Sequence, residues 1–218
     1  MIRNVIFDLD GTLLDTSKGI LDSVRYTIAA LSYSELPYDE LLTFVGPPIQ
    51  QSFMEHFGCN AETAQRAADI FRNYYKDTAL LRAVPYEGVY DLCDELKRRG
   101  MKLAVATYKR EDYALTLLKH FQFNTYCSPM HGADGNNKLK KKDIVQMCML
   151  EMDAKPDNTV LVGDTEHDAA GAIEAGVAFL AVTYGFGFRD GVDLKGLNYI
   201  GIADKPKTVA DILFQHKW

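Results

Sequence analysis

The sequence predicts an α/β protein in which a parallel sheet is covered by helices on both faces and interrupted once by an all-helical insert. Three observations carry this. Four compact apolar runs end in polar residues or glycine: "RNVIFDLDG" from Arg3, "KLAVATY" from Lys102, "TVLVGDT" from Thr159 and "AFLAVTYG" from Ala178. Helical patterns alternate with these runs. Between Asp15 and about Ala83 the alternation stops, and only helical patterns are found. Near-continuous apolar strands belong to a sheet buried on both faces. Strand–helix alternation belongs to a doubly wound, Rossmann-like core.

The elements follow in chain order. The first run is rich in β-branched and aromatic residues and stops at two acids and a glycine. Ser17–Leu31 then places Leu21, Val24, Ile28 and Leu31 at helical spacing. Pro37 can open a second helix. Asn60 suits the N-cap of a third, which would bury Ala64, Ala67 and Phe71. Val84–Gly88 returns the chain to the sheet. Val89, Leu92, Cys93 and Leu96 share one face of a helix that stops at Gly100. Further helices are expected from Arg110, from Asp143 with Val145, Cys148 and Met152 inward, and from Asp168 to Gly176. The expected boundaries are residues 1–14 and 84–218 for the core and 15–83 for a helical cap.

Composition narrows the partners. A net charge of −6 without long basic stripes argues against nucleic acid as the main partner. No apolar stretch is long enough to span a bilayer, and the N-terminus lacks the pattern of a secretory signal, so a cytoplasmic location without a membrane partner is expected. Cys59, Cys93, Cys127 and Cys148 form no CxxC pair and read as reduced thiols.

In open α/β sheets, ligands bind beyond the C-terminal ends of the strands. Asp8 and Asp10 lie there in "DLDGT", and alternating residues of an extended chain point the same way. Asp164 and Asp168 end another run in "GDTEHD", one helical turn apart if a helix starts at Thr165. Any one of these acids alone could be a helix cap. Together they repel unless a cation sits among them, and an all-oxygen donor set suits Mg²⁺.

"DLDGT" followed at once by a helical insert, then "ATYKREDYA" and "GDTEHD" in order, resembles the haloacid dehalogenase-like superfamily over essentially the whole chain. The dehalogenases of that superfamily lack the second acid, so Asp10 points to phosphoryl chemistry. The resemblance implies a phosphatase acting on a small phosphorylated metabolite. Asp8 would be the nucleophile and Asp10 the general acid and base. Asp8, the Asp10 carbonyl and Asp164 would hold Mg²⁺, with Asp168 in support. Thr107 and the Tyr108 backbone would bind phosphate. The family usually has Ser or Asn where Tyr108 stands. A strand-end Thr such as Thr107 is also a common local hydrogen-bonder.

Within the insert, "FVGPPIQQSF" carries Gly46, Pro47 and Pro48. Physics alone reads it as a rigid helix–helix connector. It also resembles the cap substrate loop of the phosphoglycolate phosphatase-like branch, as does "VTYGFG" from Val182. Related activities within the same superfamily are 5'-nucleotidases, sugar-phosphate phosphatases and phosphomutases. A non-catalytic phospho-ligand-binding protein is the alternative of another class.

The superfamily also needs a lysine paired with the nucleophile and phosphate. Lys138, Lys140, Lys141 and Lys142 crowd "NNKLKKKDIV", where cations face the unfavourable end of a helix dipole. Lys141 lies four residues before Val145 and seven before Cys148, on the inward line of the helix. It is assigned the role, ahead of Lys138.

Overall fold

A computed structural model describes residues 1–135, 138–188, 194 and 196–215. The chain divides into two compact units, Met1–Leu14 with Pro85–Trp218, and Asp15–Val84.

The first unit is built on a six-stranded parallel sheet in the order β5-β4-β1-β6-β7-β8. Its strands are β1 (Asn4–Phe7), β4 (Lys102–Arg110), β5 (Met130–Ala133), β6 (Thr159–Gly163), β7 (Ala178–Val182) and β8 (Gly201–Ala203). β1 is central: Ile6 pairs with Ala104 of β4 and with Leu161 of β6. All four residues of β1 and all five of β6 are buried. Both faces of these strands therefore need covering, and the helices of this unit are α5 (Val89–Arg98), α6 (Glu111–His120), α7 (Lys141–Met152), α8 (Glu166–Ala175) and α9 (Pro206–Gln215). Ile6, Ala104 and Leu161 pack with Val145 and Cys148 of α7 and Ala172 of α8 in one core cluster. Burying a side chain such as Leu161 contributes about 2 kcal/mol.

Two elements of the sheet have little sequence signature. β5, "MHGA", is only half-buried at its first two positions and contains a glycine. β8, "GIA", is a three-residue edge. Val84–Pro85 (β3) does not join the large sheet; it pairs with β2 (Leu14–Asp15) in a separate two-stranded ribbon.

The second unit contains α1 (Ser17–Ala30), α2 (Tyr38–Leu42), α3 (Ile49–Phe57) and α4 (Ala61–Tyr74), with a π-helical turn over Tyr75–Ala79. Asn60 caps α4 as its sequence position suggests, its side chain accepting the Thr63 amide hydrogen at 2.9 Å. The "GPP" segment connects α2 to α3. Gly46 has φ +109, which favours glycine there, and Pro48 leads directly into α3. Phe44 and Phe53 flank this turn and pack edge to face, their ring centroids 5.3 Å apart. Among the described residues, no helix is long and apolar enough to cross a membrane.

Candidate active site

The strand order β4-β1-β6 brings three strand ends side by side, and the polar residues singled out in the sequence gather at that edge. Asp8 directly follows β1 and is 6% exposed, its amide hydrogen bonded to the Val162 carbonyl at 2.9 Å. The chain then turns at Gly11, with φ +84, where a Cβ would overlap the Asp164 carboxylate. Asp164 follows β6 and is fully buried.

Lys141 is the hub of this cluster. It is the first residue of α7, is 2% exposed, and its Nζ lies 2.6 Å from Asp8 Oδ1 and 2.6 Å from Asp168 Oδ1. Lys138 and Lys140 are exposed, and Lys142 forms a partly exposed pair with Glu174 at 3.6 Å. The start of α7 is satisfied despite its lysines. Asp143 Oδ2 accepts the Lys140 amide hydrogen at 2.8 Å, and the Tyr108 hydroxyl accepts that of Lys141 at 2.9 Å. Tyr108 thus has a side-chain task that its position in "ATYK" does not reveal. It braces the helix turn that carries Lys141, and its ring centroid lies 5.9 Å from the Lys141 ammonium.

Asp168 divides its two oxygens. Oδ1 faces Lys141, while Oδ2 accepts from the Thr165 amide at 3.0 Å and the Thr165 hydroxyl at 2.6 Å. The capping role considered in the sequence is present, and the same carboxylate also contacts the buried lysine. Thr107 likewise shows its local bond, its Oγ1 accepting the Lys109 amide hydrogen at 3.1 Å. That interaction uses a lone pair and leaves the hydroxyl hydrogen to donate.

The crowding of acids shows in their proton affinities. Burial pushes the Asp8 carboxyl up to about 7, against the pull of Lys141 and with Asp168 and Asp10 adding to the rise. Burial, then the Asp168 and Asp8 charges, push Asp164 well above the usual carboxylate range. Burial disfavours the Lys141 ammonium, but Asp168 and Asp8 outweigh it and hold the group above its ordinary value.

A divalent cation fits this donor set. Ligand oxygens of Asp8, Asp164 and Asp168 lie within 4.8 Å of one another. Asp164 Oδ1 is buried with no hydrogen-bond partner. An orphaned carboxylate oxygen is costly unless something occupies its other side, and hard oxygen donors suit Mg²⁺.

Two features escaped the sequence reading. Lys109 reaches Asp10 with Nζ–Oδ distances of 2.9 and 3.1 Å, and both side chains are nearly buried. The signal was available, because Thr107 and Lys109 alternate along β4 and so share a face. The other is the task of the segment that contains "VTYGFG": the backbone amides of Phe186, Gly187 and Phe188 bind Asp164. Gly46, Pro47 and Pro48 belong to the second compact unit.

Residues 5–182 match the model of the haloacid dehalogenase-like hydrolases. The chain belongs to that family. It is 32% identical over 188 residues to a 5'-nucleotidase of Pseudomonas aeruginosa, spanning 86% of this chain and 85% of the relative. It is 33% identical over 192 residues to the tyrosine-protein kinase PtkA of Mycobacterium tuberculosis, covering 87% of this chain but 65% of that one. Among solved structures, a predicted phosphatase from Clostridium acetobutylicum superimposes with a TM-score of 0.90 at 33% identity, covering 99% of this chain and 100% of the other.

Proposed function

We propose that this hydrolase is a Mg²⁺-dependent phosphomonoesterase for a small metabolite, working through an aspartyl-phosphate on Asp8. The observation that carries this is the single buried cluster in which Lys141 joins Asp8 to Asp168 beside the unpaired Asp164 Oδ1. In the first step an Asp8 oxygen attacks phosphorus, the bond to the leaving oxygen breaks, and Asp10 gives that oxygen a proton. In the second step Asp10 takes a proton from water as the water oxygen attacks the same phosphorus. The Asp8–phosphorus bond breaks, and inorganic phosphate leaves.

Lys141 orients Asp8 and meets the incoming phosphate. Thr107 donates its hydroxyl hydrogen to a phosphate oxygen, and the Tyr108 amide assists. Asp8, the Asp10 carbonyl and Asp164 would hold Mg²⁺, with Asp168 in support through Lys141. Bound there, the ion screens the nucleophile from the dianionic phosphate and stabilises the transferring group. The cap, residues 15–83 with Gly46–Pro48 as its substrate loop, is assigned recognition of the remainder of the substrate.

The resemblance in "GPP" and "VTYGFG" favours a phosphoglycolate-like substrate. Similarity to the Pseudomonas nucleotidase favours nucleoside monophosphates as the second reading. Both are tested by phosphate release from phosphoglycolate, nucleoside monophosphates and sugar phosphates, with Mg²⁺ and with EDTA. Release from at least one substrate should require metal and vanish in Asp8→Asn. Release that survives complete chelation would sink the metal assignment. Transfer of phosphate to a second sugar phosphate without release would identify a mutase. Tight binding without turnover across the panel would favour a non-catalytic binder.

A further inference from the structure

Asp164 is held by one short segment at both its side chain and its backbone. Asp164 Oδ2 accepts the Phe186 amide hydrogen at 2.7 Å and that of Gly187 at 3.2 Å. The Asp164 carbonyl accepts the Phe188 amide hydrogen at 2.8 Å. Three successive amides therefore converge on one residue, and all the hydrogen bonds to the carboxylate fall on the same oxygen.

The packing is too close for side chains. A Cβ at Gly185 would overlap both Asp164 Oδ2 and the Gly11 carbonyl, and one at Gly187 would overlap the Asp164 carbonyl. The segment is anchored at both ends. The Tyr184 hydroxyl donates to the Thr12 carbonyl at 3.1 Å, which ties it to the "DLDGT" turn. Phe188 is 2% exposed and sits in the core cluster.

We propose that Tyr184–Phe188 is a clamp that fixes Asp164 so that Oδ1 alone is presented to the metal, at a set distance from the Asp8–Asp10 turn. This rests on the metal-dependent reading above. A carboxylate whose second oxygen carries two amide bonds has little freedom to rotate or to chelate through both oxygens. Outer contacts that orient a ligand in this way commonly account for 10–100-fold in metal affinity. Tyr184, Gly185 and Gly187 are positioning residues in this scheme.

The test is a Mn²⁺ titration without substrate, following loss of the free-ion electron paramagnetic resonance signal. Gly185→Ala should raise the Mn²⁺ dissociation constant about 10–100-fold. Its activity should recover at high Mg²⁺ with kcat near that of the wild type. Tyr184→Phe removes only the bond to Thr12 and should weaken binding severalfold; it decides the matter if Gly185→Ala does not fold. Variants that are folded in EDTA by circular dichroism and bind Mn²⁺ like the wild type would overturn the clamp. Failure of the wild type itself to bind Mn²⁺ would overturn the metal reading, and the clamp with it.

Discussion

Replacing Lys141 with methionine tests the centre of the site. Methionine keeps most of the aliphatic stem, which matters because α7 and α8 approach closely here: a Cβ at Gly171 would overlap Lys141 Cγ. What is lost is an ammonium 2.6 Å from each of two buried carboxylates. At an effective dielectric constant of about 20, each pair has a gross attraction of roughly 6 kcal/mol. The cost of desolvating the lysine is also removed, so the net loss is smaller. Breaking a buried pair from one side typically costs about 3–5 kcal/mol, because the remaining charge is stranded. For a chain of this size that is a fall in Tm of about 10 °C. The loss should depend on pH. Without metal, Asp8 is protonated well below about 7, so Lys141→Met should cost less at pH 5 than at pH 8. The assay is thermal unfolding by circular dichroism in EDTA at both pH values, with Lys138→Ala as the control. Lys138 is exposed, and its loss should change stability by no more than about 0.5 kcal/mol and leave activity intact. A cost below about 1 kcal/mol at pH 8, or a larger cost at pH 5, would refute the buried-hub reasoning. An inactive Lys138→Ala beside an active Lys141→Met would move the assignment to the other lysine.

Four further outcomes are expected. Asp8→Asn should abolish turnover yet leave the metal-free protein at least as stable at pH 8, since it removes one buried carboxylate from a crowded set; near-normal phosphate release would refute the nucleophile assignment. The metal-free wild type should lose stability as pH rises. The folded Asp8 carboxyl, at about 7, binds its proton more tightly than the unfolded one at about 3.8, so its contribution is full below about 4 and lost through about 7; urea midpoints that rise from pH 5 to pH 8 in EDTA would contradict this. Tyr108→Phe deletes the acceptor for the Lys141 amide and should cost about 1 kcal/mol in urea unfolding, with a lower kcat. Lys109→Met should lower kcat at least tenfold on alkyl phosphates but less on p-nitrophenyl phosphate, whose leaving group needs less help from Asp10; equal losses on both would rule out action through Asp10.

What the sequence made legible was whatever its letters encode at short range. The strand-end acids stood out because Asp8, Asp10 and Asp164 follow apolar runs and break them abruptly. Lys141 stood out because helical phase links it to Val145 and Cys148, all now seen buried. β5 stayed hidden because "MHGA" lacks a run of β-branched residues, and its place in the sheet comes from pairing with β4. α3 stayed hidden behind Pro47 and Pro48, which mark a turn and equally well precede a helix start. The hydroxyl bond from Tyr108 to α7 spans 33 residues and has no local signature. The amides that hold Asp164 have no letter at all; only the closely spaced glycines Gly185 and Gly187 hinted that a backbone had to come near.

Charge explains why these parts belong together. Asp8, Asp10, Asp164 and Asp168 are all buried, and among the described residues Lys109 and Lys141 bring ammonium groups to them. Fully ionised, the four acids exceed the two lysines by two charges. In the metal-free protein Asp8 and Asp164 hold their protons more tightly than ordinary carboxylates, chiefly because they are buried and further because the neighbouring acids repel them. A divalent cation matches the excess and would release those protons on binding. A smaller set of acids would leave the cation weakly held. Metal binding at the site should accordingly release more protons at pH 6 than at pH 9, because the Asp8 carboxyl, at about 7, holds its proton at the lower value and not at the higher; calorimetry in buffers of different ionisation enthalpy can measure the difference. Absence of proton release at pH 6 would show that the buried acids are ionised before the metal arrives.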